Sequence, residues 1–383
     1  MIAAVAPRAS AEERGRLLSD FERLCRIESP SLRERKIADL VVAELRAVGL
    51  QVEEDASAAA TGSQAGNLLS RVPGTGTGAG RTILLCAHLD TVPLAAPVDP
   101  VCENGMYRNA NEAILGADNK AAVAVLLAVA RRLAREPAAV AVELLFTTAE
   151  ELALRGAKEV DRSALRSEFG FVFDHASPIG ELIVASPTYF RLEATFRGAA
   201  AHAGIRPEEG RNAIVAAARA ISTMDLGRLD PATTANAGVI EGGSAANVVA
   251  EHCRVELEAR SLDAERAGTL IAEMADACVA AAADAECDVE TVVEQLFRGY
   301  RLPRTAVAVE VAAIALRSAG IEPECVQSGG GSDANALIGM GLPTVNVANG
   351  TERNHQPDES VSVGALETML DVALAIVDHS AEA

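Results

Sequence analysis

The sequence predicts an α/β fold with a smaller α+β domain inserted into it. Two observations carry this. Over residues 1–186 and 298–383, apolar runs that suit buried strands alternate with amphipathic helical stretches. Between them, residues 187–297 follow a β-α-β-β-α-β order, which suits a small sheet with helices on one face. A chain of 383 residues is long enough for two such domains.

Taken in order, residues 11–25 and 32–48 read as amphipathic helices, separated by Ser29, Pro30 and Ser31. The Gly/Thr stretch PGTGTGAGR, ending at Arg81, reads as a turn, because a strand rather than a helix follows its G-x-G spacing. Ile83, Leu84 and Leu85 then form a strand, with His88 and Asp90 where it ends. Residues two apart share a face of an extended segment, so the two can sit side by side. Residues 94–116 read as an irregular loop. Gly116 to Ala121 opens a helix over about 119–134, with Asp118 at its edge. The strand 140–147 ends in Thr148, Ala149, Glu150 and Glu151, and the strand 169–173 ends in Asp174.

The inserted segment has strands at about 189–198, 235–241, 252–261 and 287–295, and helices at about 211–224 and 263–283. His202 follows its first strand in AHAG, and Arg260 ends the strand HCRVELEARS. Beyond Arg298 come a helix near 305–319, the stretch GGGSDAN around Asp333, a strand at 343–349, then NHQPDE with His355, and a closing helix at 364–379.

Composition removes some functions. A net charge of −20 argues against nucleic acid or an anionic membrane surface as partner. The start, MIAAVAPRAS, resembles neither a signal peptide nor a spanning helix. Seven scattered cysteines without a C-x-x-C pair suggest reduced thiols and a cytoplasmic protein.

Collected, the strand-end groups are His88, Asp118, Glu151, Asp174 and His355. Singly each has an ordinary reading, such as an N-cap aspartate or a solvated acidic turn. Together, two imidazoles and three carboxylates suit zinc, and also cobalt or manganese. Charge favours two divalent ions: with a bridging hydroxide they balance three carboxylates, whereas one ion leaves excess negative charge.

The stretches AHLDTVP, GADNKAAVA, TAEE, FVFDH, AHAG, EARSLD, GGGSDAN and NHQPDE resemble, in order, those of one family. This is the peptidase T-like (tripeptide aminopeptidase-like) branch of the co-catalytic dizinc exopeptidases, and the resemblance covers nearly the whole chain. It implies a mixed sheet flanked by helices, with residues 187–297 as a ferredoxin-like lid and dimerisation domain. It implies that His88 and Asp174 bind one metal, Glu151 and His355 the other, and that Asp118 bridges them. Asp90 would orient His88, and Glu150 would be the general base. His202 would reach the substrate carbonyl oxygen, or else cap a lid turn. Arg260 would hold a substrate carboxylate, although a salt bridge inside the lid explains it equally well. Asn247 and Asp333 are further candidates for substrate contact. The Asp118–Asn119 peptide bond is expected to be cis.

Two motifs depart from the family. Asp118-Asn-Lys-Ala-Ala122 stands where Asp-Asp-Lys-Ala-Gly is usual, and Glu150-Glu-Leu-Ala153 where Glu-Glu-Ile-Gly is usual. The expected activity is hydrolysis of short peptides by an aminopeptidase, with the lid as the expected surface of a homodimer. A deacylase or carboxypeptidase-like amidohydrolase of the same fold is the first alternative, and an inactive metal-binding scaffold the second.

Overall fold

Four apolar segments, Thr82–His88, Ala141–Thr147, Phe169–His175 and Thr344–Ala348, pair in parallel at the centre of the larger of two units. Their residues are nearly all buried, as expected of parallel strands covered on both faces. Antiparallel strands extend this sheet on either side. Leu68–Val72 joins Ala141–Thr147, and Glu181–Ser186 joins Thr344–Ala348, so the sheet is mixed. The computed structural model describes residues 9–75, 80–176 and 178–383. The reading of residues 1–8, and residues 76–79 of the glycine stretch, lie outside the described residues.

Helix Ala117–Arg135 is broken at Asp118 and Asn119, whose backbone is not helical, and from Ala121 to Ala130 it is buried on every side, as an all-round apolar helix must be. Helices Ala11–Cys25, Arg35–Ala47, Val307–Ser318 and Val363–His379 contribute to the same core. Ser10 and Glu13 form a capping box at the first of these. Glu13 also pairs with Arg132 on the buried helix.

The loop expected over residues 94–116 contains a hairpin, Pro100–Glu103 with Met106–Asn109. Asn104 and Gly105 both have positive φ at its turn, and Asn-Gly is the strongest short-range hairpin signal. Met106–Asn109 pairs in turn with Ser360–Ser362, directly after Glu359.

This larger unit comprises Met1–Val184, Arg301–Gln327 and Gly331–Ala383; the second comprises Ala185–Tyr300 with Ser328–Gly330. The second has a five-stranded antiparallel sheet, in the order Gly227–Asp230, Thr233–Gly242, His252–Ser261, Thr188–Arg197, Asp288–Phe297. The short first strand is absent from the sequence reading. Helices Ala213–Thr223 and Ala264–Asp284 bury Ala216, Ala217, Ile271 and Met274 against Leu192, Phe196, Val255 and Leu257. Strict alternation of buried and half-exposed residues along His252–Ser261 gives that sheet one apolar face. Among the described residues, no helix is long and apolar enough to cross a membrane.

Candidate active site

Strand ends of the larger unit bring the expected groups together. His88, the last residue of its strand, places Nε2 at 3.1 Å from Asp118 Oδ1 and 3.4 Å from Asp174 Oδ1. His355 places Nε2 at 3.3 Å from Asp118 Oδ2 and 3.0 Å from Glu151 Oε1. Each oxygen of Asp118 therefore faces a different histidine. Three groups have donor atoms within 4.8 Å of one another: His88–Asp118–Asp174, Asp118–Glu151–His355 and His88–Glu150–Glu151. The first two fit two divalent cations sharing Asp118; the third places Glu150 against the same centre. The Asp118–Asn119 peptide bond is cis.

The electrostatics point the same way. Burial pushes the Asp174 carboxyl up to about 8. Burial, reinforced by Asp174, raises Glu150 well above the usual carboxylate range. Burial opposes a charge on His88, but Asp174 and Asp118 beside it win and raise it well above an ordinary histidine. Hydrogen bonds to Asp118 and Glu151 raise His355 to about 10. Like charges crowded in low dielectric hold protons that cations would displace.

Asp90 does more than the sequence suggests. The nearest acceptor to His88 Nδ1 is the Asp90 backbone oxygen, at 3.0 Å, while Oδ1 lies at 3.6 Å. The carboxylate instead accepts the Glu150 and Glu151 amides at 2.9 and 3.2 Å and the Ser31 hydroxyl at 2.7 Å. Asp333 is only 1% exposed, and Oδ2 accepts the Thr147 hydroxyl. Burial raises its carboxyl to about 6.

Two residues of NHQPDE had no expected role. Asn354 Nδ2 donates to Asp118 Oδ2 at 2.9 Å. Glu359 is 1% exposed and accepts the Gly116 and Asp118 amides at 2.7 and 2.9 Å. Their place in a motif was the only available signal.

Within the second unit, His202 is exposed and its Nδ1 accepts the Gly204 amide at 3.2 Å. That puts the ring hydrogen on Nε2. Asn247 is also exposed, and its carbonyl accepts the Ala203 amide. Arg260 pairs with Glu258 at 3.0 Å, stacks 4.0 Å over the Tyr189 ring and reaches Gly329 O at 3.4 Å. The salt bridge that offered its alternative explanation is present.

The family model described as peptidase dimerisation domain matches residues 186–286, and that of peptidase family M28 matches residues 67–201. An uncharacterised Bacillus subtilis protein is 37% identical, over 96% of this chain and 99% of its own. The crystal structure of a Bacillus cereus aminopeptidase PepT shares 36% identity at a TM-score of 0.84, covering 96% of this chain and 98% of that one. A Staphylococcus aureus tripeptidase shares 32% at a TM-score of 0.90, covering 99% and 100%. This chain belongs to the peptidase T-like branch of the co-catalytic dizinc exopeptidase family.

A peptidase T-like site explains where the backbone is unusual. Of eight described non-glycine residues with positive φ, four lie next to the clustered acids and histidines, Ala149, Ala153, Leu154 and Arg353, and a fifth is His355 itself. Residues held in uncommon conformations gather at functional sites. Ala153, standing where the branch usually has glycine, keeps a glycine-like φ of 64°.

Proposed function

We propose that this protein is an aminopeptidase of short peptides, tripeptides foremost, working at a two-metal site. The observation that carries this is Asp118, whose two oxygens each face a different histidine and carboxylate pair. His88, Asp174 and Asp118 would hold one ion, and Glu151, His355 and Asp118 the other. Zinc is the proposed native ion, with cobalt and manganese able to replace it, because the donors are imidazole and carboxylate. When bound, such ions make water acidic near neutrality and polarise the scissile carbonyl.

Glu150 takes the proton of the attacking water and passes it to the leaving amine. Its elevated pKa suits that exchange, since it can both accept and return a proton. His202, with hydrogen on Nε2, would donate to the developing oxyanion. Arg260 would take a peptide carboxylate only in competition with Glu258. Asn247 remains a proposed substrate contact. The dimerisation-domain match supports a homodimer through the second unit. Seven free thiols support a cytoplasmic location.

Di- and tripeptides with free and acetylated N-termini, followed by mass spectrometry, test the substrate class. Loss of the N-terminal residue from free tripeptides, blocked by acetylation, is expected. Faster cleavage of N-acyl amino acids would make the protein a deacylase. Bound metal without any hydrolysis would make it a scaffold.

A further inference from the structure

The turn that carries Glu150 and Glu151 is held by side-chain oxygens from three other segments. The Thr148 amide donates to Asn67 Oδ1 at 3.1 Å, and the Ala149 amide to Glu34 Oε1 at 3.1 Å. The Glu150 and Glu151 amides donate to the two oxygens of Asp90. Four successive N–H groups thus have fixed partners.

Glu34 is the least expected of these. It is fully buried, at the start of helix Arg35–Ala47. Its Oε1 also accepts the Leu32 amide at 2.8 Å, and Oε2 accepts the Ser63 hydroxyl. Leu32 and Ala149 have φ of 72° and 50°, in the left-handed region that residues with a Cβ rarely adopt. One carboxylate thus fastens two unfavourable backbone positions. Beside each lies a contact to Asp90, from the Ser31 hydroxyl on one side and the Glu150 amide on the other. Burying a carboxylate is costly unless its oxygens are satisfied. Here both oxygens are occupied in holding the turn.

We infer that Glu34 is a positioning residue for the reaction: through the Ala149 amide it sets where the Glu150 carboxyl points. It needs no contact with substrate or metal. The inference rests on Glu150 being the base.

The test uses Glu34→Met, which keeps bulk and removes both acceptors, and Glu34→Gln, whose Oε1 can still take the Leu32 and Ala149 amides while Nε2 donates to Ser63. Misplacement of a reacting group on the order of 1 Å costs up to about 100-fold. Glu34→Met is therefore expected to lower kcat roughly 10- to 100-fold, with KM and metal content little changed, and Glu34→Gln to restore kcat to within about threefold. In a Glu150→Gln background the Glu34→Met penalty should vanish, because the group it positions is gone. A penalty that persists undiminished there, or wild-type kcat in Glu34→Met, overturns the inference. If Glu34→Met does not fold, Glu34→Asp, one methylene short of the Ala149 amide, takes its place with the same criteria. Wild-type turnover in Glu150→Gln alone refutes the base reading and the inference with it. An inactive Glu150→Gln beside a fully active Glu34→Met refutes the inference alone.

Discussion

His88 and Asp118 meet because each stands at the end of a segment whose pattern is visible in the sequence. Asp174, Glu151 and His355 were legible for the same reason. Glu359 and Glu34 were not, since they act on backbone amides far away in the chain and leave no spacing to read. Asp90 was legible only in part: its position beside His88 follows from a two-residue spacing, but its hold on the Glu150 amide does not. Ala153 gives a prediction at this scale. A left-handed φ of 64° costs an alanine roughly 1 kcal/mol or more. Ala153→Gly should therefore raise stability by up to about 1 kcal/mol, even though glycine loses more entropy on folding. Thermal melts check this, and a lower melting temperature would mean that the methyl group packs usefully.

Among the elements, long periodic segments are legible in the sequence and short ones are not. Helices Ala11–Cys25 and Val363–His379 carry the helical period over several turns. Strands Val52–Glu54 and Leu68–Val72 are too short, and the second too mixed with Ser70 and Arg71, to announce themselves. The Asn104-Gly105 hairpin has a clear local signal in its Asn-Gly pair, which sits inside a stretch that otherwise lacks strand periodicity. Two elements near the site allow tests. A Cβ on Gly156 would lie 2.1 Å from Thr148 O and 2.6 Å from Asn67 Oδ1. Gly156→Ala must then displace the turn before Glu150, and a loss of about 1–3 kcal/mol in denaturant unfolding is expected, as for other overpacked sites. Glu359 fixes the Asp118 backbone and precedes the strand Ser360–Ser362. Removing such a support typically weakens metal binding about 10- to 100-fold, so Glu359→Ala should do so in a competition assay with a chelating dye. Unchanged affinity would mean that Asp118 is held without it.

At the scale of the molecule, alternating apolar strands and helices announced the larger unit, and the switch to half-buried alternation announced the second. Ser328–Gly330 groups with the second unit. Metal removal acts at this scale. Without cations, His355 is raised to about 10 by Asp118 and Glu151, and Asp174 to about 8 by its burial. Both folded-state values lie above the unfolded ones, so the folded chain holds more protons. That contribution is complete at low pH and is lost as pH rises, between about 4 and 8 for Asp174 and about 6.5 and 10 for His355. The metal-stripped protein should therefore melt at a lower temperature at pH about 9 than at pH about 7, and added zinc should raise the melting temperature. A melting curve indifferent to chelation would remove the metal site.

In the proposed reaction Glu150 moves a proton at a two-metal site without being a ligand. Turnover of a free tripeptide by Glu150→Gln, with metal content measured on the same sample, tests it most directly. A fall of at least about 100-fold in kcat with two metals still bound is the expected result. Retained turnover, or loss of a metal along with activity, would contradict it.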